Sequence, residues 1–118
     1  MIDARAASQV ADALAAAGEP TRLRILFHLA RGPLHVGALA DLLGLPMVNM
    51  SHHLGVLRGA GLLADRKRGR RVEYSLDPAA VVSGADGDVL ATLAVGSYRL
   101  ALRSSDGGPS RAGKKRRR

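Results

Sequence analysis

The 118-residue chain contains no cysteine, which excludes disulfides, thiolate metal sites and cysteine nucleophiles. It has no apolar run near the roughly 20 residues a membrane-spanning helix needs, and its start, MIDARAASQV, lacks the continuous apolar core of a signal peptide. A cytoplasmic protein with no membrane partner is expected. There is no P-loop, GxGxxG or HExxH, and no Ser-His-acid spacing that sets a nucleophile against a base, so an enzyme is not expected. The length suits one domain, short enough that oligomerisation would help it bury a core.

Charge is abundant and unevenly spread. The formal net charge is +8, and residues 104–118, SSDGGPSRAGKKRRR, hold six Lys/Arg against one Asp. With no apolar anchor this stretch is expected to stay a disordered basic tail behind a folded domain over 1–103. Such a run is drawn to any polyanion, without sequence information. A second basic cluster lies inside the folded part, where five of the six residues 66–71 are Arg or Lys. A solvated turn normally uses Asn, Asp and Gly instead, so Arg66, Lys67, Arg68, Arg70 and Arg71 are assigned to phosphate contact.

Apolar spacing predicts helices joined by short turns, then a hairpin and a last helix. Val10, Ala13, Leu14 and Ala17 make the stripe of a first helix, with Gly18 as its stop. Pro20 suits the first turn of a second helix, striped by Leu23, Leu26, Phe27 and Ala30. A short third helix carries Val36, Leu39, Leu42 and Leu43 on one face. After a turn at Leu45-Pro46, a fourth helix runs to about Ala60. Two short helices joined by a tight turn form a helix-turn-helix pattern. Val72, Tyr74 and Leu76 then alternate with Arg71, Glu73 and Ser75, as in a half-buried strand pairing with residues 62–66 through a turn near Gly69. From about Asp86 a last helix is predicted. Leu90, Leu93, Ala94, Ser97 and Ala101 form its stripe, and Val89, Val95, Tyr98, Leu100 and Leu102 spread apolar surface around its other sides. One small domain cannot easily cover all of that surface, so a homodimer is expected, with Leu90, Leu93, Ala94 and Ser97 in the interface.

His52 and His53 lie side by side in the fourth helix. Adjacent helical residues point about 100° apart, so the two cannot chelate one metal. His53, between Met50 and Leu57 of the buried stripe, reads as a packed, hydrogen-bonded histidine. The outward face carries Met47, Val48, Asn49, Ser51, His52 and Arg58. A helix entering a major groove reads base edges with its first turns, which makes these residues DNA-contact candidates. Asn49 can pair with adenine and Met47 can touch a thymine methyl. An ordinary exposed polar helix is the bland alternative.

GEPTRLRIL, LADLLGLPMVNMSHHLGVLRGAGLL and RGRRVEYSL together resemble the ArsR/SmtB family of winged-helix regulators over roughly residues 8–78. The resemblance implies a mainly α fold with a β-hairpin wing, ordered α-α-α-α-β-β-α. It further implies a homodimer built from the first and last helices, which brings Val10 and Leu14 into the interface, a palindromic double-stranded DNA operator, and an effector that alters operator affinity. The family's metal ligands do not carry over. His35 and Gly37 stand in the two cysteine places of the third helix, and Pro78, Ala80, Ala91 and Ala94 stand in the ligand places of the last one. His28, His35, Asp86 and Asp88 remain as candidates for nickel or zinc, without chelating spacing. The chain also looks similar to nickel-responsive regulators of superoxide dismutase, which implies a second protein that supplies the metal response. A winged-helix protein-interaction module and a non-specific nucleic-acid binder are the competing readings.

Overall fold

The structure, a computed structural model, describes residues 2–104. The tail assigned to 104–118 therefore lies outside the described residues except for Ser104, whose N–H donates to the Asp88 carbonyl at 2.7 Å. Four helices come first: α1 (Ala4–Ala17), α2 (Pro20–Leu29), α3 (Val36–Leu43) and α4 (Met47–Gly59). Asp3 caps α1 by accepting from the Ala6 N–H at 2.8 Å, and Glu19 caps α2 by accepting from the Arg22 N–H at 2.8 Å. The bond from the Arg22 amide holds the Glu19 carboxyl below its usual range, aided by the Arg22 charge. What this cap adds to stability is complete at neutral pH and is lost as pH falls through that lowered value.

Two three-stranded antiparallel sheets complete the fold. The first contains β1 (Leu34–His35), β2 (Leu63–Arg68) and β3 (Arg71–Leu76) in the order β1-β3-β2. The second contains β4 (Val81–Ser83), β5 (Val89–Val95) and β6 (Tyr98–Arg103) in the order β4-β5-β6. Ile25, Leu26, Leu39, Met50, Leu54, Leu57, Leu62, Leu63, Leu93 and Leu102 are fully buried and join α2, α3, α4 and both sheets in one core. Three helical stripes differ from expectation: in α1, Ala16 is buried and Leu14 is exposed. Ile25 and Leu29, rather than Leu23 and Phe27, are the buried centre of α2, and Leu42 of α3 is exposed.

The larger correction concerns the C-terminal segment: β5 and β6 stand where a last helix was predicted. Ala91, Leu93 and Val95 are buried at every second position, and Leu102 follows from β6, which is the period of a half-buried strand. Gly96 and Ser97 form the two-residue connection between the paired Val95 and Tyr98, with Gly96 at φ 60°. Alanine and leucine suit a helix, but α1 and α2 leave apolar surface that a sheet face covers, and tertiary burial outweighs such small propensities.

The dimer assignment changes with it. Leu93 is 0% exposed and Val10 is buried beneath the Gly96 turn, so both belong to the monomer's own core. Leu90 and Ala94 are partly buried strand residues, and Ser97 is an exposed turn residue. Of the six residues assigned to the interface only Leu14, 43% exposed, keeps a large apolar side chain open, and it lines a groove with Ile2, Ala7, Val10, Ala11 and Tyr98.

A Cβ on Gly96 would lie 2.5 Å from Val10 Cγ2, in a left-handed backbone conformation. Left-handed strain and overpacking together put the cost of Gly96→Ala at about 2–5 kcal/mol. Thermal melts should show Tm falling by roughly 10 °C or more; a wild-type melt would mean that the turn does not press on α1.

Candidate nucleic-acid interface

Burial of Met50, Leu54 and Leu57 sets the rotation of α4. It leaves Met47 54% and Val48 75% exposed, with Asn49, Ser51, His52 and Gly55 also open to solvent. The Pro46 side chain offers α4 no capping bond, so the first amides of this helix have no side-chain acceptor.

The two adjacent histidines have separate places. His53 is partly buried, its Nδ1 3.2 Å from Arg22 Nη1. Arg22 Nε donates to the Ala16 carbonyl at 2.6 Å, so His53 and Arg22 tie α4 to α2 and to the end of α1. This matches the packed role expected of His53, but Arg22 itself was missed, since nothing local links residues 22 and 53. His52 is exposed, and the two ring centroids are 5.8 Å apart at 59°.

The hairpin β2–β3 forms the wing. Its register pairs Arg66 with Glu73, Lys67 with Val72, and Arg68 with Arg71, closing through Gly69-Arg70 with Gly69 at φ 62°. Arg66, Lys67, Arg68, Arg70 and Arg71 are all exposed. Arg68 Nε lies 3.6 Å from Glu73 Oε1, and Arg58 Nε lies 3.1 Å from Asp65 Oδ1, fastening the end of α4 to the base of the wing. Arg58 is thus set apart from the open start of the helix. A cleft of about 390 Å³ lined by His35, Val36, Gly37, Met47, Ser51, Arg70, Arg71 and Val72 brings the starts of α3 and α4 against the wing tip. Val48, Asn49 and His52 border a separate shallow depression with His53.

The candidate metal ligands are not brought together. His28 lies beside Phe27, Arg31 and Ser104, Asp86 sits in the turn before β5, and Asp88 Oδ1 pairs with Arg103 Nη1 at 2.8 Å. Asp88 Oδ2 is buried with no partner among the described residues. His35 has a neighbour at each ring nitrogen: Nδ1 accepts from the Ala38 N–H at 3.2 Å, and Nε2 is 3.1 Å from Arg71 Nη1. Among the described residues no group of three or more His, Cys, Asp or Glu is placed to hold a metal, and no helix is long and apolar enough to cross a membrane.

A helix-turn-helix followed by a two-stranded hairpin beside its second helix defines the winged helix-turn-helix class. A family model described as a helix-turn-helix domain matches residues 17–66. The transcriptional regulator NmtR of Mycobacterium tuberculosis is 45% identical over 75 residues, which are 64% of this chain and 62% of that protein. The transcriptional repressor SdpR of Bacillus subtilis is 34% identical over 62 residues, 52% of this chain and 69% of that protein. Among solved structures, the homodimeric winged helix-turn-helix DNA-binding domain of Mb0332 from Mycobacterium bovis aligns with a TM-score of 0.61 at 33% identity, covering 67% of this chain and 75% of that one. The chain belongs to the ArsR/SmtB family of winged helix-turn-helix transcriptional regulators. It spans less than two thirds of the length of NmtR.

Proposed function

We propose that this chain regulates transcription by binding a palindromic DNA operator as a homodimer. In this reading α4 enters the major groove with Met47, Val48, Asn49, Ser51 and His52, while Arg66, Lys67, Arg68, Arg70 and Arg71 hold the neighbouring backbone. The observation that carries it is the exposed strip running from the start of α4 across the cleft to the wing tip. Five cations on a solvent-facing hairpin repel one another unless polyanion charge lies against them. The basic residues of 104–118 add attraction without sequence preference. The second subunit packs against the α1 groove bordered by Ile2, Leu14 and Tyr98, the last 56% exposed. The relatives lend no support to a second protein partner, and the reading assigns no nickel or zinc to His28, His35, Asp86 or Asp88.

Electrophoretic shift of promoter and random duplexes across a salt series tests the proposal. Preferential, salt-sensitive retention of one promoter sequence is the expected result. Equal weak binding to every duplex would favour the non-specific binder, and no binding at all the interaction module. Asn49 is placed to read a base edge, so Asn49→Ala should cost about 1–3 kcal/mol of discrimination at one base pair and leave binding to random DNA almost unchanged. Uniform weakening over all sequences would instead assign Asn49 to the backbone.

A further inference from the structure

Three cationic or hydrogen-bond-donating groups from distant parts of the chain meet in the cleft between α3, α4 and the wing. His35 ends β1 and caps α3, Arg71 opens β3, and Ser51 lies on the exposed face of α4. Around them Val36, Met47 and Val72 supply apolar wall.

The His35 contacts do not close on themselves. Its Nδ1 faces the Ala38 N–H at 3.2 Å, and its Nε2 faces Arg71 Nη1 at 3.1 Å. A guanidinium only donates, a backbone N–H only donates, and a neutral imidazole has a single acceptor nitrogen. Whichever tautomer forms, one of the two contacts sets N–H against N–H, and an imidazolium sets both so. With Nδ1 serving the cap, Nε2–H and the Arg71 guanidinium converge on the same space.

The wing repeats the imbalance. Arg71 is the direct cross-strand partner of Arg68, and like charges directly opposite one another are unfavourable. Glu73, the cross-strand partner of both His35 and Arg66, has its carboxylate toward Arg68 Nε at 3.6 Å. One carboxylate is left to balance Arg66, Arg68 and Arg71. What the cleft lacks is an acceptor bearing negative charge.

We propose that this cleft is an oxyanion site of the phosphate class, in which His35 Nε2–H, the Arg71 guanidinium and the Ser51 hydroxyl are the donors. A small movement of the exposed Arg71 side chain admits one phosphate oxygen between Nη1 and Nε2, and a second oxygen faces Ser51. Donors approaching from three elements suit a tetrahedral phosphate better than a planar carboxylate, and guanidinium–phosphate bonds are among the strong charge-assisted ones. Two sources share this chemistry: a phosphodiester of the operator backbone and a free phosphate. The first rests on the function proposed above, whereas the second stands without it. In either case His35 binds an anion and is not a metal ligand.

The test follows the His35 ring nitrogens of the full chain by NMR during titration with inorganic phosphate at constant ionic strength, and separately with duplex DNA. His35→Asn keeps a side-chain acceptor for the Ala38 N–H but loses Nε2–H, and Arg71→Gln removes the guanidinium. Saturable movement of Nε2 with phosphate alone, lost in Arg71→Gln, supports a free-phosphate site. Movement with duplex only, joined by a roughly three- to tenfold loss of affinity for all sequences in both variants and a salt slope lowered by about one in Arg71→Gln, supports the phosphodiester. If duplex shifts the α4 amides while neither titrant moves the His35 ring, the oxyanion site is wrong and DNA binding stands. If duplex shifts nothing, the DNA reading fails, and phosphate titration alone decides the cleft. An unchanged thermal melt of His35→Asn shows that the cap is intact.

Discussion

Leu93→Glu should abolish cooperative unfolding at neutral pH. Leu93 is 0% exposed in the middle of β5, where its side chain joins the core shared by the helices and both sheets. Removing a buried leucine costs about 2–5 kcal/mol. A carboxylate in its place must either protonate or draw water into the core, and each adds several kcal/mol more. The sum rivals the roughly 5–15 kcal/mol by which a whole domain is stable. Circular dichroism should show no sigmoidal melt at pH 7 and partial recovery in acid, where the new carboxyl is neutral. Leu14→Glu is the instructive contrast. Leu14 is 43% exposed on α1, so this variant should melt near wild type but sediment as a monomer if the α1 groove is the dimer face. A folded Leu93→Glu chain altered only in oligomeric state would overturn the assignment of β5 to the core.

The second large effect is expected on DNA. Lys67, Arg68 and Arg70 are exposed on the wing, and among the described residues only Arg68 of the three has an acidic neighbour, a surface pair with Glu73 at 3.6 Å. Such pairs contribute about 0–1 kcal/mol, so changing all three residues to alanine should leave the melt almost unmoved. Each lost phosphate contact removes about 0.9 from the salt dependence of binding, so the triple variant should bind every duplex on the order of a hundredfold more weakly at 0.1 M salt with a slope nearly three lower. Fluorescence anisotropy over a salt series measures both. Wild-type affinity and slope would mean that the wing does not touch the backbone. Set beside Asn49→Ala, which should alter preference at one position alone, the triple variant separates attraction from reading.

Much of the helical half was legible in local patterns. Pro20 opens α2, Gly44 and Pro46 bracket the turn between α3 and α4, and Met50, Leu54 and Leu57 are spaced to bury one side of α4. The wing was legible from the alternation of Val72, Tyr74 and Leu76 and from Gly69 between basic strands. The C-terminal segment was misread because two periods coexist in it. Leu90, Leu93, Ala94, Ser97 and Ala101 satisfy a helical spacing, while Ala91, Leu93 and Val95 satisfy a strand. Gly96-Ser97 between two alternating runs was the available signal for a hairpin.

Periodicity and turn residues therefore specified on their own a helix-turn-helix with a basic wing and an outward face at Met47 to His52, because each of these depends on neighbours within a few positions. Only the tertiary structure decided that residues 89–103 form strands, that Leu93 and Val10 belong to the monomer's core, and that His35, Ser51 and Arg71 share one cleft. These depend on which surfaces α1, α2 and the wing leave uncovered. Burial and charge between residues far apart in the chain settle that, and local propensity carries too little energy to do so.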